Sequence, residues 1–227
     1  MENVLLVFAK VPQPGHVKTR LTPVLTPPEA AELYDAFLRD ALDQYAALEA
    51  DVRLYLAPPL PETGLADLPA RITVYRQRGE GLGERMAEAF RGVLADGYER
   101  AAVVGTDHPT LPLAYVRQSF RALAPDRSVC IGPSADGGFY LLGMSAFYPQ
   151  LFGGMTYSHD EVFSDTLARA DTTDARLTVL PRWYDVDTPD ALARMIGDLE
   201  DPDVEAPRTR RVVERLSLRD LLDPENR

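Results

Sequence analysis

VLLVFAKVPQPGHVKTRLTP, residues 4–23, joins an unbroken apolar run to a basic loop broken by prolines and a glycine. Six consecutive apolar residues, VLLVFA (4–9), are far too few to cross a bilayer, and they lack the alternation of a half-solvated strand. They read as a strand buried on both faces, the pattern of a parallel sheet covered by helices. Working outward, apolar runs at 52–57, 72–75, 101–105, 128–132, 139–144 and 176–180 read as further strands. Helical periodicity lies between them. Thr26-Pro27-Pro28-Glu29 reads as a helix start, with Thr26 as cap and proline in the first turn. Ala30, Leu33, Tyr34, Phe37, Leu38, Ala41, Leu42 and Tyr45 form that helix's core stripe. Further helices are expected over 83–95, from near Leu113, over 159–170 and over 188–199. PPLPETGLADLP (58–69) reads as a proline-rich surface loop. Strand and helix in alternation predict an α/β fold with a mostly parallel central sheet and helices on both faces.

The chain has 227 residues, enough for one substantial core. Lys plus Arg number 24 against 35 Asp plus Glu, a formal net charge of -11. Such a surface repels a phosphate backbone, which argues against broad nucleic-acid binding. The single cysteine, Cys130, sits in an apolar run and reads as a buried thiol, so no disulfide framework or cysteine-based zinc site is available. No cationic start precedes a cleavable apolar stretch, and no apolar run approaches 18 residues. A cytoplasmic protein without a membrane span is expected. Residues 201–227 begin acidic and turn basic, and read as a C-terminal extension, helical or mobile, beyond a domain of residues 1–200.

In parallel sheets ligands bind outside the carboxyl ends of the strands, and the chemically unusual residues cluster there. Behind the first strand, Pro12, Pro14 and Gly15 force a turn that can aim backbone N–H groups at an anion. Lys10, Lys18 and Arg20 supply cations suited to phosphate oxygens. Lys18 and Arg20 lie two apart and would share a side in extended chain. The plainer reading is a loop that offsets the acidic surface. Thr106-Asp107 follows the fourth strand, and its carboxylate suits a hard divalent cation completed by water and substrate phosphates, or else caps a turn. Late in the chain YDVDTPDAL brings Asp185 and Asp187, the second of which could equally cap a helix with Pro189 in its first turn. In GPSADGGFYLLGM, Asp136 precedes Gly137 and Gly138. It can serve as general base on an attacking hydroxyl or close a hairpin turn. Gly81 and Gly83 with Arg85 open the helix over 83–95, a place where anions and planar bases approach backbone. Neither a Gly-x-Gly-x-x-Gly nor a Walker-type Gly-Lys-Ser/Thr is present.

FAKVPQPGHVKTRL, GTDHPTLP, GPSADGGFYLLGM and YDVDTPDAL, in that order, resemble the motifs of a family of small bacterial GT-A-type proteins. These are usually described as glycosyltransferases of the nucleotide-diphospho-sugar transferase superfamily, with a conserved domain of uncertain function. The resemblance runs from about residue 3 to 199 and implies a single Rossmann-like GT-A domain that binds a nucleotide and is assisted by Mg2+ or Mn2+. By motif, it implies that Lys10, Lys18 and Arg20 meet phosphates; Pro14, Gly15 and Thr106 beside them, and Gly81, Gly83 and Arg85 at the helix start, are the further nucleotide-binding candidates. Asp107, with Asp187 and Asp185, would take the metal. Asp136, Gly137 and Gly138 would face the sugar or acceptor, with Asp136 and Lys18 as catalytic groups. Position 109 is Pro109, where sugar transferases commonly carry the second acid of an Asp-x-Asp pair. VKTRL and DVDTP also resemble phospholactate guanylyltransferases. Three readings therefore stand: a glycosyltransferase acting on a nucleotide-sugar and a small acceptor, a nucleotidyltransferase releasing pyrophosphate from a nucleoside triphosphate, and a nucleotide-binding protein without catalysis. A homodimer is compatible with each.

Overall fold

The computed structural model describes residues 2–58, 65, 67–157 and 159–222. Most of the loop expected over 58–69 and the end of the C-terminal extension lie outside the described residues. The order is β1 (Asn3–Ala9), α1 (Pro27–Ala46), β2 (Asp51–Leu56), β3 (Ile72–Arg76), α2 (Leu82–Ala95), β4 (Arg100–Val104) and α3 (Leu113–Ala122). It continues with β5 (Ser128–Pro133), β6 (Phe139–Met144), α4 (Val162–Ala170), β7 (Arg176–Val179), α5 (Pro189–Asp198), α6 (Pro207–Arg215) and α7 (Leu218–Leu222). The seven strands form one sheet in the order β3-β2-β1-β4-β6-β5-β7. Only β6 runs antiparallel, between β4 and β5. The α/β class and the mostly parallel sheet match the expectation from sequence.

β1 is apolar throughout because both its faces are covered. Leu5, Val7 and Ala9 pack with Leu38 and Leu42 of α1 and with Val116 and Phe120 of α3. Val4, Leu6 and Phe8 point the other way, toward Met86, Phe90 and Val93 of α2. Each fully buried aliphatic side chain contributes about 1.5–3 kcal/mol. α1 is buried on its outer side too, where Leu33 and Phe37 meet Leu192 and Met195 of α5 and Val213 of α6. Its start is as expected: Glu29 accepts from the Thr26 N–H at 2.8 Å and from the Thr26 hydroxyl at 2.6 Å.

α4 begins at Val162 rather than at 159. The Glu161 N–H is taken by the ring of His159, which holds the chain in a turn instead of a helix. The N–H of Phe163, in the first turn of α4, reaches across to the carbonyl of Gly137 at 2.8 Å. The extension after residue 201 packs on the body of the protein. Asp40 of α1, with a side chain 0% exposed, accepts from the backbone N–H groups of Arg208 and Thr209 and so caps α6 from another helix.

β2 lies on one side of β1 and β4 on the other, so the chain reverses its direction of travel across the sheet at β1. The loops leaving β1 and β4 diverge there and open a crevice at the carboxyl ends of both strands. Among the described residues no helix is long and apolar enough to cross a membrane.

Candidate functional site

A cavity of about 600 Å³ occupies that crevice. One wall is the loop after β1, which contributes Lys10, His16, Lys18 and Arg20. Asp107 and His108 after β4, and Asp185 and Asp187 before α5, form the acidic side. The far end is closed by Gln77 after β3 and by Leu82, Arg85 and Met86 of α2.

Lys18 organises the acidic side. Its backbone is left-handed at φ 49°, so the chain does not stay extended, and Thr19–Leu21 then wind into a short 3-10 turn. The expectation that Lys18 and Arg20 share a side is therefore wrong. The Lys18 side chain is 2% exposed, whereas that of Arg20 is 70% exposed. The Lys18 ammonium lies 2.5 Å from Asp107 Oδ1 and 2.9 Å from Asp187 Oδ1, above the rings of Tyr34 and Phe37. Burial alone would lower its pKa, but the two carboxylates outweigh that and hold it above the ordinary lysine value. Burial would likewise raise Asp107, yet Lys18 keeps it below the usual carboxylate range. Arg20 stands 3.8 Å from the second oxygen of Asp187.

Asp185 is in the opposite condition. Burial, reinforced by the charges of Asp107 and Asp136, pushes its carboxyl from 3.8 up to about 7, despite a 2.8 Å hydrogen bond from Ser134 Oγ. The acidic side thus gathers three carboxyl groups around one buried ammonium. The backbone fixes these groups together, for the Val186 N–H donates to the Asp107 carbonyl at 2.8 Å.

Several expected residues sit elsewhere. Thr106 is buried away from the cavity, its hydroxyl 2.9 Å from the Tyr34 hydroxyl, which also accepts from the Lys10 N–H. It ties β4, α1 and β1 together. Pro14 and Gly15 form an exposed turn with Gly15 at φ 78°, outside the cavity walls. Gly81 is the exposed cap residue of α2. Gly83 is buried under Tyr157, whose ring a Cβ would strike at 2.7 Å. Arg85 does line the cavity, although its Nε and one terminal nitrogen are held by the carbonyls of Gly79 and Glu80. Asp136 lies at the exposed tip of the β5–β6 hairpin, and its Oδ1 accepts from the Gly138 N–H at 3.0 Å. Gly137, at φ 90°, is pressed against Asp160, whose carbonyl oxygen an added Cβ would approach to 2.0 Å. The turn reading thus accounts for all three residues, with Asp136 also contributing charge to Asp185. Among the cavity residues that escaped the sequence reading are Gln77, an unremarkable residue after a short strand, and His108, whose buried ring nitrogens have no hydrogen-bond partner among the described residues.

Residues 41–159 match the family model DUF2064, described as an uncharacterized protein conserved in bacteria. The chain belongs to that family. A crystal structure from Desulfovibrio desulfuricans G20, provisionally described as a nucleotide-diphospho-sugar transferase, is 32% identical to this DUF2064 protein. It superposes with a TM-score of 0.85 over 96% of this chain and 97% of that one. The 2-phospho-L-lactate guanylyltransferase of Haloarcula marismortui is 28% identical over 181 residues, 79% of each chain. CMP:2-keto-3-deoxy-manno-octonic acid synthetase complexed with CTP shares the fold, at 14% identity and a TM-score of 0.50 over 88% of this chain and 99% of that one. The DUF2064 chain therefore has a nucleotide-diphospho-sugar transferase-like and nucleotidyltransferase-like fold, and the relatives it resembles are transferases.

Proposed function

We propose that the protein transfers the sugar of a nucleotide-diphospho-sugar to a small acceptor, assisted by Mg2+ or Mn2+. The observation that carries this reading is the two-sided cavity at the switch point of the sheet, lined by cations on the β1 side and by the carboxylates of Asp107, Asp185 and Asp187 on the other. Lys10, His16 and Arg20 line the path of a diphosphate, where charge-assisted hydrogen bonds are strongest. Lys18 is a positioning residue that holds Asp107 and Asp187 in place. The extent of likeness to the Desulfovibrio desulfuricans structure favours a sugar-nucleotide donor.

The residues present fit a hard divalent cation. The carboxylates of Asp107, Asp185 and Asp187 are hard oxygen donors lining the cavity, and burial disfavours the Asp185 charge unless a cation joins it. No group of three or more His, Cys, Asp or Glu side chains among the described residues is arranged to hold a metal. Oxygens from among Asp107, Asp185 and Asp187 would therefore hold it together with water and donor oxygens, with Lys18 bracing Asp107 and Asp187. When bound, such an ion neutralises charge developing on the leaving diphosphate.

A second reading, nucleotidyl transfer to a phosphorylated small molecule, is favoured by the Haloarcula marismortui relative. The two separate by product. Incubation with panels of nucleotide-sugars and of nucleoside triphosphates, each with Mg2+ and candidate acceptors, is followed by phosphorus NMR. Nucleoside diphosphate released from a sugar donor is expected. Pyrophosphate released from a triphosphate would replace this reading with the second, and no turnover together with no nucleotide binding would overturn both.

A further inference from the structure

Gln77 is buried, and nothing in a sugar-transfer reaction by itself calls for it there. Its side-chain amide is not free to turn. The nitrogen Nε2 donates to the Tyr55 carbonyl at 2.9 Å and to the Ala9 carbonyl at 3.4 Å. Two backbone oxygens on one side fix the NH₂ group toward them, because a flipped amide would set oxygen against oxygen. The opposite atom, Oε1, accepts no hydrogen bond from any described residue, and Gln77 lines the cavity. The protein thus presents, where β3 ends in the cavity, a rigid hydrogen-bond acceptor whose donors are already consumed. Arg85, which lines the same cavity, folds back onto Gly79 and Glu80, leaving one terminal nitrogen of its fork without a partner among the described residues. Leu82 and Met86, which also follow β3, add apolar surface to the lining.

We infer that this end receives the nucleobase of the donor and that Gln77 selects guanine. The inference rests on the nucleotide-donor reading above. Guanine presents two adjacent donors, N1–H and the 2-amino group, followed by the O6 acceptor. The two donors match the two lone pairs of a fixed Oε1, and O6 matches the free Arg85 nitrogen. Adenine and cytosine each set a ring-nitrogen acceptor beside their amino group, and uracil flanks its single N–H with two carbonyls. Each of these brings acceptors toward an oxygen that cannot reorient without breaking its own bonds. Leaving a buried polar group unpaired costs about 1–3 kcal/mol, roughly a tenfold or larger loss in affinity.

The decisive measurement is calorimetric binding of GDP, IDP, ADP, CDP and UDP to the wild-type chain with Mg2+. GDP should bind about tenfold or more tightly than the others, and IDP, which differs only in lacking the 2-amino group, should fall in between. Gln77→Met removes the acceptor at similar volume, and in a folded variant the GDP-over-IDP preference should collapse to within about twofold. Equal binding of all five diphosphates, or a preference for UDP or CDP, overturns the guanine assignment while leaving the nucleotide reading intact. Binding of none overturns the nucleotide reading and the assignment with it. A folded Gln77→Met protein that keeps the full preference shows that another group reads the base. Should that variant not fold, the ligand series on the wild type still decides.

Discussion

Replacing Asp185 by asparagine should stabilise the ligand-free protein at alkaline pH. Burial, with Asp107 and Asp136 adding to it, raises this carboxyl from 3.8 to about 7. Between those two values the unfolded chain loses the proton while the native chain keeps it. Native stability therefore falls as pH rises from about 4 to about 7 and stays reduced above that. A displacement of this size corresponds to about 4 kcal/mol at pH 8.5, a ceiling that local relaxation lowers to about 2–4 kcal/mol. Asparagine cannot ionise and still offers an oxygen to the Ser134 hydroxyl, so it removes that cost without breaking the 2.8 Å contact. Urea denaturation of both proteins in EDTA measures the gain. It should reach its full value at pH 8.5, fall to less than half by pH 5 and vanish near pH 4. His108, lowered by burial from 6.5 to about 4, works with the opposite sign over part of this range, but both proteins carry it and it cancels in the difference. A variant no more stable than wild type at pH 8.5, or a gain independent of pH, refutes the reasoning.

Lys18→Met should cost about 1–3 kcal/mol in chemical denaturation, because it leaves the half-exposed Asp107 and Asp187 beside Asp185 without their cation; a cost below about 0.5 kcal/mol would show that the ion cluster does not hold these loops together. Gly137→Ala should lower stability by about 2 kcal/mol or more, since its φ of 90° and the nearness of Asp160 both exclude a side chain. Asp136→Asn should leave stability within about 0.5 kcal/mol of wild type and turnover within a few-fold, because asparagine accepts the same Gly138 N–H; a hundredfold loss of turnover with donor binding unchanged would restore Asp136 as a general base.

The sheet was legible because β1 advertises itself. An apolar run can be apolar on every residue only when both faces are covered, and the flanking strands and helices follow with ordinary periodicity. The helix ends were legible where capping chemistry is local, as at Thr26 with Glu29, and illegible at α4, where the ring of His159 intervenes. The site was half legible. Position behind strand ends picked out Lys18, Arg20, Asp107, Asp185 and Asp187, but not their pairing. Lys18 meets Asp187 across 169 positions of chain, and its left-handed backbone reverses the direction inferred from the spacing of Lys18 and Arg20. Gln77 was invisible because its role depends on two carbonyls of neighbouring strands, which no side-chain pattern records.

The partners of the two most deeply buried charges set an order on how the chain becomes whole during synthesis. Lys18 precedes Asp187 by 169 positions of chain, so it is made long before that partner. Asp40 likewise waits for the backbone of Arg208 and Thr209. A nascent chain that has completed β1 through β7 offers Lys18 only Asp107 of its two carboxylates and leaves Asp40 without the N–H groups it caps, so α1 stays uncovered on its outer side. The C-terminal helices therefore act as the latch that completes the packing around α1. A fragment stopping before α6 would leave the buried Asp40 carboxylate without those two partners and the outer face of α1 without its cover.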